Sequence, residues 1–358
     1  MWPVCAFHLG KCCFKTNVIE HTATVSVAEY CRNLSPGNHE DIDTAEWRSR
    51  QGPRDLGEVR YSGIEAEMSA KKTCVFCGVA LRGKGTDRTC KSDEHINPTW
   101  LIEHLGIGDL PVTGMRWDVP SRTVIEQHSH GGRSFVSGRV CTGCNNGWMS
   151  TLETEAKPIL IRLIADPRLL PGLSVEERHT VARWTLKTAV ALNQASFGNE
   201  ANPLDRPIPV EHRKALVSGK LSDDVIVVGA CCPSDRVSEF VQSATWATPK
   251  NTVPLRTEDR VRSYKIGMSF RSLLLAVAYY PNSEYYYGIT ADRFAVLWTG
   301  TRGIVRTDEG IGEIPIAANS PILEGFLGNI FVVSKTWWTI TQNAATTRLI
   351  VVPGRLPG

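Results

Sequence analysis

The chain has 358 residues, of which 42% are hydrophobic and 22% charged, and its formal net charge is +3. This is the composition of an ordinary soluble protein, and the length allows two domains with a sizeable core. No apolar run reaches the roughly 18 residues of a membrane span, and His8, Gly10 and Lys11 interrupt the stretch where a signal peptide needs an apolar core. We therefore expect a cytoplasmic protein without membrane partners.

Residues 1–67 differ in character from the remainder. Four cysteines are scattered there without a pairing pattern, and a long polar run carries no sustained period. We predict a poorly ordered extension. Met68 directly precedes a stretch that looks like the start of a domain, so a misassigned start codon would explain the contrast, with a genuine extension as the alternative.

Two Cys-x-x-Cys motifs follow, Cys74 with Cys77 and Cys141 with Cys144. Each such turn directs two sulfurs toward one point, and four thiolates are the ligand set of a tetrahedral structural Zn²⁺. The other seven of the eleven cysteines show no regular disulfide framework, which indicates a reducing compartment. We predict one zinc ion held by these four thiolates.

The segment 68–170 is predicted to contain a β-hairpin, a short helix, a second hairpin and a longer helix. Pro98 suits the first turn of a helix over 99–105, and Gly106 ends it. After the second motif, apolar residues recur at four-residue spacing on a helix that Pro158 is expected to kink or end.

The segment 171–358 is predicted to be a separate domain of unknown role. Ser174 and Glu177 form an S-x-x-E capping box before a largely apolar helix. Beyond Pro203, β-rich runs separated by Pro, Gly and Asn predict a mostly antiparallel sheet, with one helix at 211–217. The expected fold class is therefore α+β.

Basic residues surround the first Cys-x-x-Cys motif. Between Lys71 and Lys91 the only acidic residue is Asp87. Four of the basic residues are candidates for nucleic-acid contact: Arg82, Lys84, Arg88 and Lys91. A solvated loop is the alternative interpretation.

The order Cys-x-x-Cys, Glu-His-Ile-x-Pro, Gly-Gly, Cys-x-x-Cys-Asn resembles the HNH, or His-Me finger, nuclease family, in which a zinc treble clef often braces a ββα-metal site. More narrowly, residues 94–101 (EHINPTWL) and 141–150 (CTGCNNGWMS) resemble a bacterial group of largely uncharacterised HNH-type proteins. The likeness covers roughly residues 73–165. Because the two Cys-x-x-Cys motifs lie far apart in sequence, their sharing of one zinc ion rests partly on this resemblance.

The resemblance implies a residue set for metal-dependent hydrolysis of DNA phosphodiester bonds. His95 becomes the general base that accepts a proton from the attacking water. Glu94 and Asn145 become ligands of a catalytic Mg²⁺ or Mn²⁺, for which hard oxygen donors are suited. The four cysteines keep a structural role.

One departure supports a different class of function. Where the family usually places an Asn, about five residues before the second Cys-x-x-Cys motif, this sequence has Val136, with Ser134 and Ser137 close by. The alternative is a non-catalytic zinc module that binds nucleic acid or protein. Glu94, His95 and Asn145 argue against that alternative, because a pure binding module has no chemical need for a base beside two oxygen ligands.

Overall fold

The computed structural model describes residues 73–118, 123–134, 136–196, 208–232, 237–243, 246–248, 255, 262–290, 294–307, 322–336 and 350–352. These residues all belong to one compact unit. The prediction for residues 1–67 concerns a segment outside the described residues.

The chain is an α+β protein with mostly antiparallel sheets. Its described helices are α1 (Thr99–Leu105), α2 (Ser150–Ala165), α3 (Val175–Ser196), α4 (Val210–Val217) and α5 (Ile322–Gly328). The strands of its first part are β1 (Arg82–Lys84), β2 (Cys90–His95), β3 (Pro111–Asp118), β4 (Thr123–Gly131) and β5 (Val136–Cys141). The later strands are β6 (Val225–Cys231), β7 (Glu239–Ser243), β8 (Tyr264–Phe270), β9 (Leu273–Tyr279), β10 (Tyr285–Thr290), β11 (Ala295–Trp298), β12 (Ile304–Thr307), β13 (Ile330–Ser334) and β14 (Ile350–Val352).

A three-stranded sheet in the order β1-β2-β5 organises the first part of the chain. Strands β2 and β5 are antiparallel, and the α1 helix and the β3–β4 hairpin lie between them in sequence. The short helix, the hairpin after it and the longer helix confirm the prediction. The prediction of a first β-hairpin is wrong. A hairpin has antiparallel strands, whereas β1 and β2 pair in parallel. The main partner of β2 is the distant strand β5.

Local sequence signals account for the helix ends. Pro98 is the N-cap of α1, and Gly106 ends that helix in the left-handed conformation with φ 70°, as predicted. Helix α2 does not end at Pro158 but continues to Ala165. The proline removes one backbone hydrogen bond, and the buried side chains Leu152 and Leu160 on either side of it keep the helix packed on the core.

The capping box predicted at the start of α3 is present. The backbone N–H of Ser174 donates to Glu177 Oε2 at 3.0 Å, and the backbone N–H of Glu177 donates to Ser174 Oγ at 3.2 Å. Two of the four N–H groups that a helix start leaves unpaired are commonly satisfied in this way. The reciprocal bonds fix the position at which α3, the longest described helix, begins.

A five-stranded antiparallel sheet in the order β11-β6-β9-β8-β7 forms the centre of the later part. Alternate residues of β6 belong to two hydrophobic clusters, Val225 and Val227 to one and Ile226 and Val228 to the other. Since successive side chains of a strand point to opposite faces, both faces of this sheet are covered. The second sheet, in the order β13-β10-β12-β14, contains one parallel pair, β10 with β12.

The first hydrophobic cluster runs across residue 170, the boundary expected between two domains. It contains Phe76 from the first Cys-x-x-Cys turn, Leu152 from α2 and Trp184 from α3. Trp184 contacts Phe270 of β8 edge to face, with ring centroids 5.8 Å apart. Helix α3 thus packs on both parts of the chain. In the described part of the chain, no helix combines the length and apolar character needed to cross a membrane.

Candidate functional site

Four cysteines from the two Cys-x-x-Cys motifs converge on one point. Their sulfur atoms all lie within 4.8 Å of one another, with Cys74 Sγ 3.9 Å from Cys144 Sγ and Cys77 Sγ 3.7 Å from Cys141 Sγ. Zinc–sulfur bonds of about 2.3 Å in a tetrahedron place sulfurs about 3.8 Å apart. The cluster therefore has the dimensions and the donor type of a structural zinc site.

The electrostatics of this cluster favour a bound cation. The hydrogen bond with Cys144 lowers the pKa of Cys74 to about 4, whereas burial raises the pKa of Cys141 to about 11. The interaction with Cys74 raises the pKa of Cys144 as well. Neighbouring thiolates repel one another, so an ionised Cys74 disfavours the ionisation of Cys141 and Cys144. A Zn²⁺ ion removes that repulsion and binds all four in their anionic form.

Backbone contacts hold the two turns in register. The N–H groups of Cys141 and Cys144 donate to Cys74 Sγ at 3.4 Å and Cys141 Sγ at 3.3 Å, respectively. The N–H of Gly143 donates to the carbonyl of Arg88 at 2.9 Å, and a Cβ at position 143 would meet that oxygen at 3.0 Å. A side chain at position 143 would therefore require the Arg88 backbone to shift by a few tenths of an ångström.

Glu94 and His95 lie at the end of β2, as the paired strands run toward α1. Glu94 is buried and lies opposite Ser137 of β5, while His95 is half-buried and lies opposite Val136. The register shifts between Ser92 and Glu94. A bulge of this kind re-aims the side chains that follow it.

Glu94 belongs to a buried charge cluster with Lys187 and Glu153. Lys187 Nζ, which is fully buried, lies 2.7 Å from Glu94 Oε1 and 2.7 Å from Glu153 Oε1. Burial lowers the pKa of Lys187, but the charges of Glu153 and Glu94 outweigh it, so that the pKa lies above its ordinary value. With both carboxylates ionised, the cluster carries a net charge of −1.

Glu153 is fixed by more donors than Glu94. The indole N–H of Trp100 donates to Glu153 Oε2 at 2.8 Å, and that of Trp184 donates to Glu153 Oε1 at 3.1 Å. Glu94 contacts Lys187 through Oε1, and its side chain keeps about 10% of its surface exposed. Both oxygens of Glu153 therefore have donors, whereas the contact of Glu94 with Lys187 uses one of its two oxygens.

Several buried polar atoms beside Glu94 have no hydrogen-bond partner within the described part of the chain. They are His95 Nδ1, Asn97 Oδ1 and Ser137 Oγ. Such atoms are rare in folded proteins, and one common explanation is an ion or water that completes the site. These three atoms belong to residues at or directly after the paired ends of β2 and β5.

Asn145 is placed at the start of the helical segment that leads into α2. A short turn, Thr142–Cys144, follows β5 directly, and a π-helical turn, Asn145–Met149, joins it to α2. The side chain of Asn145 is half-buried. Its amide oxygen and Glu94 Oε2 are hard donors of the kind that suit Mg²⁺ or Mn²⁺. The donor chemistry therefore fits such an ion.

Among the described residues, the four cysteines form the one group of three or more His, Cys, Asp and Glu side chains close enough to share an ion. A second metal would therefore rely on a carboxylate, an amide and solvent. Mg²⁺ commonly binds through only one or two carboxylates and retains several waters.

The four basic candidates lie on β1, on β2 and in the turn that joins them. Arg82 and Lys84 are exposed on β1, Arg88 is exposed in the turn before β2, and Lys91 is half-buried on β2. Lys84 Nζ forms an exposed ion pair with Asp93 Oδ2 at 3.1 Å. Exposed pairs of this kind are weak, so Lys84 can exchange this partner for a phosphate.

The sequence did not predict the roles of Lys187 and Glu153. A signal was present, since Lys187 interrupts an apolar helix face where a fully buried lysine requires a counter-charge. Which carboxylates supply that charge depends on the packing of α3 against α2 and β5.

Comparison with protein-family models, curated proteins and solved structures found no significant match for this chain.

Proposed function

We propose that this protein is a metal-dependent endonuclease that hydrolyses DNA phosphodiester bonds through a zinc-braced, HNH-type ββα site. The observation that carries the proposal is an arrangement along the chain. Strand β2 ends on Glu94 and His95, its antiparallel partner β5 runs directly into the second zinc turn, and Asn145 follows at the start of the helical segment. This is the order of parts in the HNH pattern.

His95 is the proposed general base. An imidazole is the side chain best suited to take a proton from water at neutral pH. Its half-buried position at the end of a paired strand restricts the orientation of the ring. The water proton passes to the imidazole as the water oxygen attacks phosphorus and the bond from phosphorus to the leaving oxygen breaks.

Glu94 Oε2 and the amide oxygen of Asn145 are the proposed protein ligands of the catalytic ion. A bound Mg²⁺ or Mn²⁺ supplies positive charge that neutralises the scissile phosphate and stabilises the leaving oxygen. The exposed residues Arg82 and Arg88 attract the DNA backbone, as clustered guanidinium groups do for phosphates. The four cysteines contribute by holding β5 and the first Cys-x-x-Cys turn together.

A plasmid assay tests the proposal. The purified chain is incubated with supercoiled, linear and single-stranded DNA, without added metal and with Mg²⁺ or Mn²⁺. We expect cleavage that requires the added ion and yields 5′-phosphate or 3′-phosphate ends. DNA that stays intact under every metal condition, with protein of full zinc content, overturns the proposal.

A non-catalytic zinc module is the second candidate, and one observation favours it. Lys187 already supplies a positive charge to Glu94 at 2.7 Å, so this carboxylate has a partner without a metal. DNA binding by the zinc-loaded protein, with a salt dependence typical of phosphate contacts and without cleavage, is the result that this candidate predicts.

A further inference from the structure

The buried cluster of Glu94, Lys187 and Glu153 includes residues from outside the β2–β5 pair. Lys187 of α3 contacts Glu94 of β2, and Glu153 of α2 contacts Lys187. Burying three charged groups is costly, and a purely structural contact between these helices is achieved more readily by apolar side chains. A functional role for the positive charge of Lys187 beside Glu94 would explain why this cluster is buried here.

We propose that Lys187 is a positioning residue for Glu94, an inference that rests on the proposed function. The ammonium holds Glu94 Oε1 at 2.7 Å and leaves Glu94 Oε2 as the atom that binds the catalytic ion. Glu153 in turn fixes Lys187, also at 2.7 Å. A carboxylate held through one oxygen presents the other in a constant direction.

The contacts of Glu153 explain how it can hold Lys187 in a fixed position. Its two oxygens accept hydrogen bonds from the indoles of Trp100 and Trp184, in addition to the contact with Lys187. The Trp184 indole is itself fully buried. The two indoles therefore restrict the position of Glu153, Glu153 restricts that of Lys187, and Lys187 restricts that of Glu94.

Charge balance gives the cluster a second property. One ammonium between two carboxylates leaves a net charge of −1, so the cluster keeps an attraction for a cation while the repulsion between Glu94 and Glu153 is cancelled. Residues that orient metal ligands in this way are commonly worth about 10–100-fold in metal affinity. A loss of about this size is expected when the contact with Lys187 is removed.

The decisive variant is the double substitution Glu153→Gln with Lys187→Met. It keeps the net charge of the cluster at −1, because one carboxylate and one ammonium are removed together. The glutamine side chain introduced at position 153 retains an oxygen that can accept from a tryptophan indole, so the helices keep a polar contact. The contact that holds Glu94 is lost, and one of the two indole N–H groups loses its acceptor, because a glutamine side chain has a single acceptor oxygen. Lys187→Met alone leaves two buried carboxylates without a cation, and its failure to fold would say nothing about positioning.

Mn²⁺ binding is measured by electron paramagnetic resonance of the free ion, at neutral pH on zinc-loaded protein, together with thermal unfolding. The parent protein should bind one Mn²⁺, and Glu94→Gln should abolish that binding. The double variant should bind it about 10–100-fold more weakly while it retains its zinc and cooperative unfolding. Lys265→Met is the matched control, because it removes another buried lysine that lies far along the chain and has no carboxylate partner among the described residues. It should leave the Mn²⁺ affinity unchanged.

The outcomes separate the two proposals. A parent protein that binds no Mn²⁺ refutes the proposed catalytic ion and the positioning role with it. A parent that binds Mn²⁺ and a folded double variant that binds it equally well or more tightly refute the positioning role alone. A purely structural cluster would lower the unfolding temperature of the double variant without changing the Mn²⁺ affinity of the folded protein. A folded double variant with the expected loss of affinity supports the proposal.

Discussion

Two buried lysines, one in each part of the molecule, have different surroundings. Lys187, beside the zinc region, contacts two carboxylates, and its pKa is raised. Lys265, in the five-stranded sheet, donates to the carbonyls of Leu327 at 2.9 Å and Ile330 at 2.5 Å and lies 4.4 Å from the ring centroid of Trp246. It has no carboxylate partner in the described part of the chain, and burial lowers its pKa to about 7.

The difference indicates what each region does. Lys265 binds backbone carbonyls at the end of α5 and beyond it, where a lysine completes the hydrogen bonds that a helix terminus leaves open. Its contacts join secondary-structure elements. Lys187 instead lies between two carboxylates, one from β2 and one from α2. Lys265 stabilises the fold, whereas in our proposal Lys187 positions Glu94 to bind a metal ion.

The largest effect on the zinc region is expected from Cys144→Ser. A structural zinc site contributes about 10–16 kcal/mol of apparent binding free energy to folding, and three thiolates hold the ion far less well than four. The variant should lose its zinc and most of its folded population. Elemental analysis and circular dichroism measure both quantities.

The matched control for that experiment is Cys231→Ser, since Cys231 is exposed at the end of β6. It should retain the zinc and the unfolding temperature of the parent protein. A folded Cys144→Ser variant with no zinc would contradict the structural role of the metal.

The two lysines should also differ in how stability depends on pH. The pKa of Lys265 is about 7 in the folded chain and near its ordinary value of 10.5 in the unfolded chain. Between these values the unfolded chain binds more protons, so the free energy of unfolding rises with pH. Between about pH 7 and 9, the titration of Lys265 should raise the free energy of unfolding of the parent protein by about 2 kcal/mol. The Lys265→Met variant should not show this increase.

Lys187 stays protonated in both states across that pH range, because its folded pKa lies above the ordinary value. Its contribution to stability is fully present below the unfolded pKa and is lost only at higher pH. Denaturant unfolding at several pH values across that range measures how steeply the free energy of unfolding changes with pH. Equal slopes for the parent and Lys265→Met would show that Lys265 titrates normally in the folded protein.

The smallest effect is expected at the start of α3. Ser174→Ala removes the oxygen that accepts from the backbone N–H of Glu177 and should lower the free energy of unfolding by about 1 kcal/mol. Ser174→Asp keeps an acceptor there and should lie closer to the parent. Denaturant unfolding measures both, and two variants of equal stability would show that the cap contributes little.

Features set by short-range chemistry were predictable from the sequence. The turns at Cys74 and Cys141, the helix end at Gly106 and the capping box at Ser174 each depend on neighbouring residues. The strand-rich character of the later part followed from composition, and its mostly antiparallel sheets confirm that prediction. The four-cysteine cluster confirms that the two distant motifs converge, although their assembly depends on the pairing of β2 with β5.

Features that depend on packing between distant elements were not predictable. Pro158 was expected to kink or end a helix; the end is wrong, because α2 continues to Ala165 with buried leucines on both sides of the proline. The contact of Lys187 with Glu94 requires α3 to pack against the β2–β5 pair, which no local pattern encodes. The catalytic roles of His95, Glu94 and Asn145 stay predictions, and the variants of these residues test them.

The comparison of His95→Ala with His104→Ala tests the central claim most directly. His95 lies half-buried at the end of β2, and His104 is an exposed histidine on the next helix, α1. Removal of a positioned base commonly costs about 10²–10⁴-fold in rate. The account predicts such a loss of metal-dependent DNA cleavage in His95→Ala, with zinc content and unfolding temperature retained, and parent-like cleavage in His104→Ala. Equal cleavage by the parent and a zinc-loaded His95→Ala protein would contradict it.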